Sequence, residues 1–137
     1  MILWVDDESP MILKPFIEEL EDENYQIVMA RSPDEMWRIL SSCINQINCI
    51  IMDIMMPTGN SVDPNKSRMG LTTGLVLMQE LRQHELYMSI PIIIFTIVNE
   101  SEVFEWAENN SISILKKQDT LPNELLQQLL DMGVPAQ

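Results

Sequence analysis

Apolar residues in this chain come in short runs that stop at acids or turn residues, with amphipathic stretches between them. Ile2-Leu3-Trp4-Val5 ends at Asp6-Asp7-Glu8, and an apolar run that short predicts a buried strand. Ser9-Pro10 supplies an N-cap and a first helical residue, and Ile12, Phe16, Ile17 and Leu20 follow as an apolar stripe. Pro15 falls inside that helix, where its missing N–H predicts a kink or a late start. Residues 26–30 read as the second strand. Ser32-Pro33-Asp34-Glu35 has the spacing of a capping box and predicts a helix running to Cys43. Residues 49–53 form a third strand that again ends in an acid. A helix over 73–84 carries Leu75, Leu77, Met78 and Leu81 on its inner side, and 91–96, with Ile92-Ile93-Ile94-Phe95, is the most apolar strand. A helix over 100–109, a strand over 112–115 and a helix over 121–131 complete the series, and 132–137 reads as a frayed tail.

Five strands alternating with five helices predict an α/β domain whose mainly parallel sheet is covered on both faces. Right-handed crossovers bring the C-terminal strand ends to one edge of such a sheet, where ligands bind. No internal repeat appears, and 1–137 reads as a single domain. The connection over 58–73 is enlarged beyond ordinary lengths. Thr58-Gly59-Asn60-Ser61 and Asp63-Pro64-Asn65 give it turn chemistry, and Lys66 and Arg68 bring basic charge. A solvated insertion and a lid or docking loop governing access to Asp53 are both consistent with that composition.

Composition narrows the function classes. The 137 residues suffice for one core without staples. No apolar run approaches membrane-spanning length and no signal peptide opens the chain, so no membrane role and a cytoplasmic location are expected. A net charge of −13 disfavours direct nucleic acid binding and favours a basic protein surface or a divalent cation. Cys43 and Cys49 lack metal spacing and His84 is the sole histidine, so neither a zinc site nor histidine-based nucleophilic catalysis is well supplied.

The strand ends carry the candidate chemistry. Asp6-Asp7 follow the first strand, and Asp53, Thr96 and Lys116 close the third, fourth and fifth. Singly, each has a plain structural reading: a solvated helix start, a β-branched strand residue, surface charge at Lys116-Lys117. Together they put three carboxylates, a hydroxyl and an ammonium at one edge. Like charges about 4 Å apart cost roughly 1 kcal/mol in water and ~4 kcal/mol at an effective dielectric near 20, so such a cluster calls for a cation. Few, hard oxygen ligands suit Mg²⁺. Asp53 is then a carboxylate nucleophile for a phosphoryl group, Asp6 and Asp7 hold the cation, Lys116 pairs with a phosphoryl oxygen, and Thr96 donates to another.

Ile2-Leu3-Trp4-Val5-Asp6-Asp7-Glu8, Ile50-Ile51-Met52-Asp53-Ile54-Met55-Met56-Pro57, Ile93-Ile94-Phe95-Thr96 and Leu115-Lys116 together resemble the receiver domain of two-component response regulators over nearly the whole chain. The resemblance implies a flavodoxin-like doubly wound fold with strand order 2-1-3-4-5. It implies Asp53 as the phosphoacceptor, and Mg²⁺ held by Asp7 directly, by Asp6 often through water, by Asp53 itself, and by the main-chain carbonyl of Met55. The implied donor is a histidine kinase or a histidine phosphotransfer protein, with small molecules such as acetyl phosphate also serving. Such a domain is no enzyme in the ordinary sense and acts at most on its own phosphorylation and dephosphorylation. Thr96 and Lys116 would report phosphorylation to the face formed by the fourth helix, fifth strand and fifth helix, where an output domain or partner binds. A homodimer is left open.

Several positions depart from the family. Counting back from Lys116 puts Ser113 where the family carries a switch aromatic, and Ile97 stands where it prefers a small residue. Met55 and Val98 replace polar residues that affect dephosphorylation, which implies slow self-dephosphorylation. Phe104 lies off the apolar stripe of its helix and reads as part of a partner or dimer surface. A rival reading follows, a phosphorylation-independent interaction module that has kept the fold. A metal-dependent phosphohydrolase fits worst, because no Asp-x-Asp motif and no second general acid or base is present.

Overall fold

The computed structural model describes residues 1–136. Five parallel strands, β1 (Ile2–Val5), β2 (Ile27–Ala30), β3 (Cys49–Met52), β4 (Ile92–Thr96) and β5 (Ser113–Lys116), form one sheet in the order β2-β1-β3-β4-β5. The helices are α1 (Pro10–Asp22), α2 (Pro33–Cys43), α3 (Thr73–Gln83), α4 (Ser101–Asn109) and α5 (Pro122–Asp131). The predicted alternation and strand order are both present, with boundaries shifted by one or two residues.

Strand alternation divides the core in two. Leu3, Val5, Ile50, Met52, Ile92 and Ile94 pack on the face covered by α2, α3 and α4, whereas Ile2, Trp4, Cys49, Ile51, Ile93 and Phe95 pack with α1 and α5. With both faces covered, the inner strands are apolar throughout instead of alternating, as the sequence of β3 and β4 shows. Cys49 is one of these buried residues, and burial pushes its thiol up to about 12. It is packing, and both cysteines are free.

Helix starts follow the local chemistry. Ser9 caps α1 by accepting the Met11 N–H, and the helix begins there, ahead of Pro15. Pro15 is exposed and the helix continues through it, so the expected late start does not occur. Ser32 accepts the Glu35 N–H at 3.1 Å, as the capping spacing predicts, but the Glu35 carboxylate turns back to the Arg31 N–H.

Two segments read as loose are packed. The expected frayed tail is docked as far as Val134, which is buried and whose carbonyl accepts the Tyr25 hydroxyl at 2.7 Å. The 58–73 connection buries Val62, Ser67, Thr72 and Thr73. Its apolar anchor, Val62, joins the core on the α2–α4 side.

Gly74 fixes how closely α3 approaches the end of β3. Its N–H donates to the Ile54 carbonyl at 2.8 Å, and a Cβ there would lie 2.0 Å from the Asp53 carbonyl oxygen. Glycine to alanine inside a helix ordinarily gains up to ~1 kcal/mol. Here overpacking reverses the sign, and Gly74→Ala is expected to lose about 2–3 kcal/mol in urea unfolding. A neutral or stabilised variant would contradict that contact.

Candidate phosphoacceptor site

The C-terminal strand ends surround a cleft of about 600 Å³ whose walls include Asp7, Glu8, Asp53, Met55, Ile97 and Lys117. Asp6 and Asp7 lie just past β1, and Asp53 lies just past β3, the strand paired with β1. One oxygen from each of Asp6, Asp7 and Asp53 lies within 4.8 Å of the others. Asp6 is fully buried, Asp53 is buried, and Asp7 is partly exposed. The Asp6 carboxylate accepts the Glu8 N–H at 2.9 Å, and Asp53 Oδ1 accepts the Ile54 N–H at 2.8 Å. Asp6 and Asp53 are therefore oriented by backbone.

The ammonium at this cluster is that of Lys117. Its Nζ lies 2.8 Å from Asp6 Oδ2, 2.8 Å from Glu8 Oε2 and 3.1 Å from Asp53 Oδ2. Lys116, the sequence candidate, is not brought to the site; its Nζ sits over the Phe104 ring, 5.4 Å from the centroid. Strand alternation explains the correction. Lys116 shares the parity of Ile114, which packs on the α4 side, and Lys117 shares that of Leu115, which packs on the side of α1 and α5. Asp6 shares the parity of Trp4 on that second side, so only the later lysine faces it. The same shift moves the switch-aromatic position from Ser113 to Ile114. Ser113 instead accepts a hydrogen bond from Gln128 at 3.0 Å. Ile114 is no ring either.

Thr96 closes β4 and is fully buried. Its Oγ1 accepts the Val98 N–H at 3.2 Å. Ile97 is 54% exposed and forms part of the cleft wall. Met55 is also exposed on that wall. Phe104 is half-buried beneath Lys116 and offers less free surface than its position off the helix stripe suggested.

The electrostatics are strongly acidic. Asp6, Asp7, Glu8 and Asp53 face a single ammonium, which leaves three formal negative charges uncompensated. Burial, then the charge of Asp6, pushes the Asp53 carboxyl up to about 6, although Lys117 and the Thr96 hydroxyl pull it down. Burial alone would lower the Lys117 pKa, but Asp6, Glu8 and Asp53 outweigh it and hold the ammonium above its ordinary range. The contact from Lys117 to Asp6 Oδ2 is an ion pair by distance without hydrogen-bond alignment, so that buried oxygen has no hydrogen-bond partner. Three convergent hard oxygens fit a small divalent cation such as Mg²⁺.

The family model for the response regulator receiver domain matches residues 2–129. The chain belongs to that family. The receiver fold is shared with the Vibrio cholerae chemotaxis protein CheY4 at 21% identity, covering 95% of each chain with a TM-score of 0.71. A response regulator from Desulfuromonas acetoxidans is 16% identical, covering 96% of this chain and 94% of its own, also with a TM-score of 0.71. The BeF3-activated N-terminal receiver domain of Klebsiella pneumoniae RstA is 18% identical over 94% of both chains, with a TM-score of 0.69. No curated protein matches this sequence. Receiver domains are the phosphoacceptor modules of two-component signalling, which is the general role of this chain. Among the described residues no helix is long and apolar enough to cross a membrane.

The raised pKa of Asp53 gives a stability prediction with a definite sign. Between the ordinary value of 3.8 and about 6, the folded receiver holds a proton that the unfolded chain releases. Stability in the absence of divalent cations therefore falls as pH rises through that window. Asp53→Asn removes the penalty and is expected to stabilise the cation-free domain by about 1–3 kcal/mol at pH 7, with no gain below pH ~4. Thermal melts across pH check this, and a destabilised variant at pH 7 would contradict the electrostatic reading.

Proposed function

We propose that this receiver accepts a phosphoryl group on Asp53 from a protein phosphohistidine, in a Mg²⁺-dependent reaction, and changes its partner binding as a result. The observation that carries this reading is the convergence of Asp6, Asp7 and Asp53 with Lys117 reaching Asp53 at 3.1 Å. An Asp53 oxygen attacks phosphorus, the new O–P bond replaces the N–P bond, and the imidazole departs with a proton. Lys117 offers a mobile positive charge to a phosphoryl oxygen, and Thr96 a hydroxyl to another. Asp6 and Asp7 would hold Mg²⁺, joined by the Met55 carbonyl, and the ion would neutralise charge developing on the transferred group.

The donor is a histidine kinase or histidine phosphotransfer protein of the cytoplasm. The responding surface is the face of α4, β5 and α5, where Lys116 covers Phe104. Ile114 stands at the switch position, so the readout there depends on backbone and aliphatic repacking, without a rotating ring. The rival, a phosphorylation-independent module, draws support from the same lack of a ring.

Intact mass after incubation with Mg²⁺ and acetyl phosphate, or with a cognate phosphotransfer protein, is expected to show one added phosphoryl group. Asp53→Asn should abolish it. Lys117→Met should slow its formation by about 100–1000-fold, in the range of a lost electrostatic contact to a transferring group, with Lys116→Met near wild type. No adduct on the wild type, where a control receiver is labelled, would favour the rival.

Dephosphorylation is proposed to be slow, because Met55 lines the cleft, Val98 follows the cleft residue Ile97, and neither apolar side chain can orient an attacking water. Met55→Asn with Val98→Glu should shorten the phosphoryl lifetime by about 10-fold or more if a general-base contribution is restored. An unchanged lifetime would refute this.

A further inference from the structure

Residues 58–72 cross from α2 to the mouth of the cleft as a strap with several anchors. Asp34, in the first turn of α2, accepts the Asn60 N–H at 3.1 Å and the Ser61 hydroxyl. The Ser67 hydroxyl, fully buried, reaches the carbonyls of Asp63 and Pro64 at 3.2 and 3.3 Å. The Gly70 carbonyl accepts the Met56 N–H at 3.2 Å, and the Thr73 hydroxyl donates to the Met56 carbonyl at 2.7 Å. Between these anchors Arg68 and Met69 take left-handed backbone, with φ of 53° and 60°, which residues with side chains disfavour. There Arg68 Nη1 lies 3.2 Å from Glu100 Oε2, on the residue that precedes α4.

These contacts close a ring around the cleft. Asp53 faces the Thr96 hydroxyl, and Thr96 binds the Val98 N–H of the 97–100 connection. Glu100, two residues further on, holds Arg68. Met69 and Gly70 follow Arg68 on the cleft wall, and Gly70 binds Met56, three residues after Asp53. Displacing any one link loads the others, and the Arg68–Glu100 ion pair is the link that ties the strap to the 97–100 connection. We propose that Arg68 is a positioning residue that, through Glu100, holds the 97–100 connection and Thr96 in place for phosphoryl acceptance. The proposal rests on Asp53 being the acceptor. It assigns the insertion a task, pre-ordering the hydroxyl side of the site, that a bare loop would leave to chance.

Both partners of the ion pair are about half exposed, at 49% and 42%, so the effect is modest and salt-sensitive. Calorimetric binding of beryllofluoride with Mg²⁺, a stable stand-in for the phosphoryl group, provides the test. Arg68→Ala and Glu100→Ala are each expected to weaken binding by about 2–5-fold, the range of an exposed ion pair. The double variant should be no weaker than either single, as for one shared contact. Arg68→Lys and the swap Arg68→Glu with Glu100→Arg should recover to within about twofold, and about 1 M NaCl should erase the differences. Wild-type affinity in Arg68→Ala, tighter binding, or additive losses would overturn the proposal. If the wild type binds no beryllofluoride, the acceptor reading fails, and hydrogen exchange then judges the strap. Faster exchange across 97–103 in Arg68→Ala would support positioning of that connection, and unchanged exchange would overturn it.

Discussion

Lys117 sits between Asp6, Glu8 and Asp53 at the C-terminal edge of the sheet, and the architecture of the site depends on that ion cluster. Buried carboxylates at the ends of two adjacent strands repel one another, and opposite charges at such distances are worth about 4 kcal/mol at an effective dielectric near 20. One ammonium leaves the cluster acidic; burial, then the charge of Asp6, raises Asp53, and a further cation is favoured. The same imbalance suits phosphoryl transfer. On the proposed reading, a metal and Lys117, 3.1 Å from Asp53, would divide the charge of an incoming phosphoryl group.

The rest of the fold serves to hold those side chains at that edge. β1 and β3 are hydrogen-bonded neighbours, so Asp6 and Asp53 meet at adjacent strand ends. β4 carries Thr96 beside them, and the chain leaving β5 carries Lys117 across to the same side as Asp6. Buried apolar layers on both faces keep the strands in register, because a one-residue slip would exchange the faces of every side chain. Gly74 completes the arrangement by letting the start of α3 touch the backbone of Asp53.

The 58–72 strap is more ordered than its composition suggests. Turn-rich composition suggested a solvated loop, yet Val62 and Ser67 are buried and Asp34 gathers one end of the segment. Burying one aliphatic side chain contributes roughly 1.5–3 kcal/mol, a part of what offsets the larger chain entropy lost when the strap orders. The tail behaves similarly, since Val134 inserts into the α1–α5 side of the core and Tyr25 binds its carbonyl.

Hydrophobic periodicity in the sequence by itself determined the five strands, the five helices and the two-sided sheet. Short apolar runs must be buried and amphipathic stretches must cover them. The acids and Thr96 were legible because each closes such a run, and a strand end in a parallel sheet has one possible edge. Only tertiary structure decided between Lys116 and Lys117. Neighbouring residues on a strand point to opposite faces, and sequence does not say which face Asp6 occupies until the helices are packed. The order of the 58–72 strap was hidden for a similar reason. Its anchors, Asp34, Glu100 and the core around Val62, lie far away in sequence, and their contact follows from folding alone.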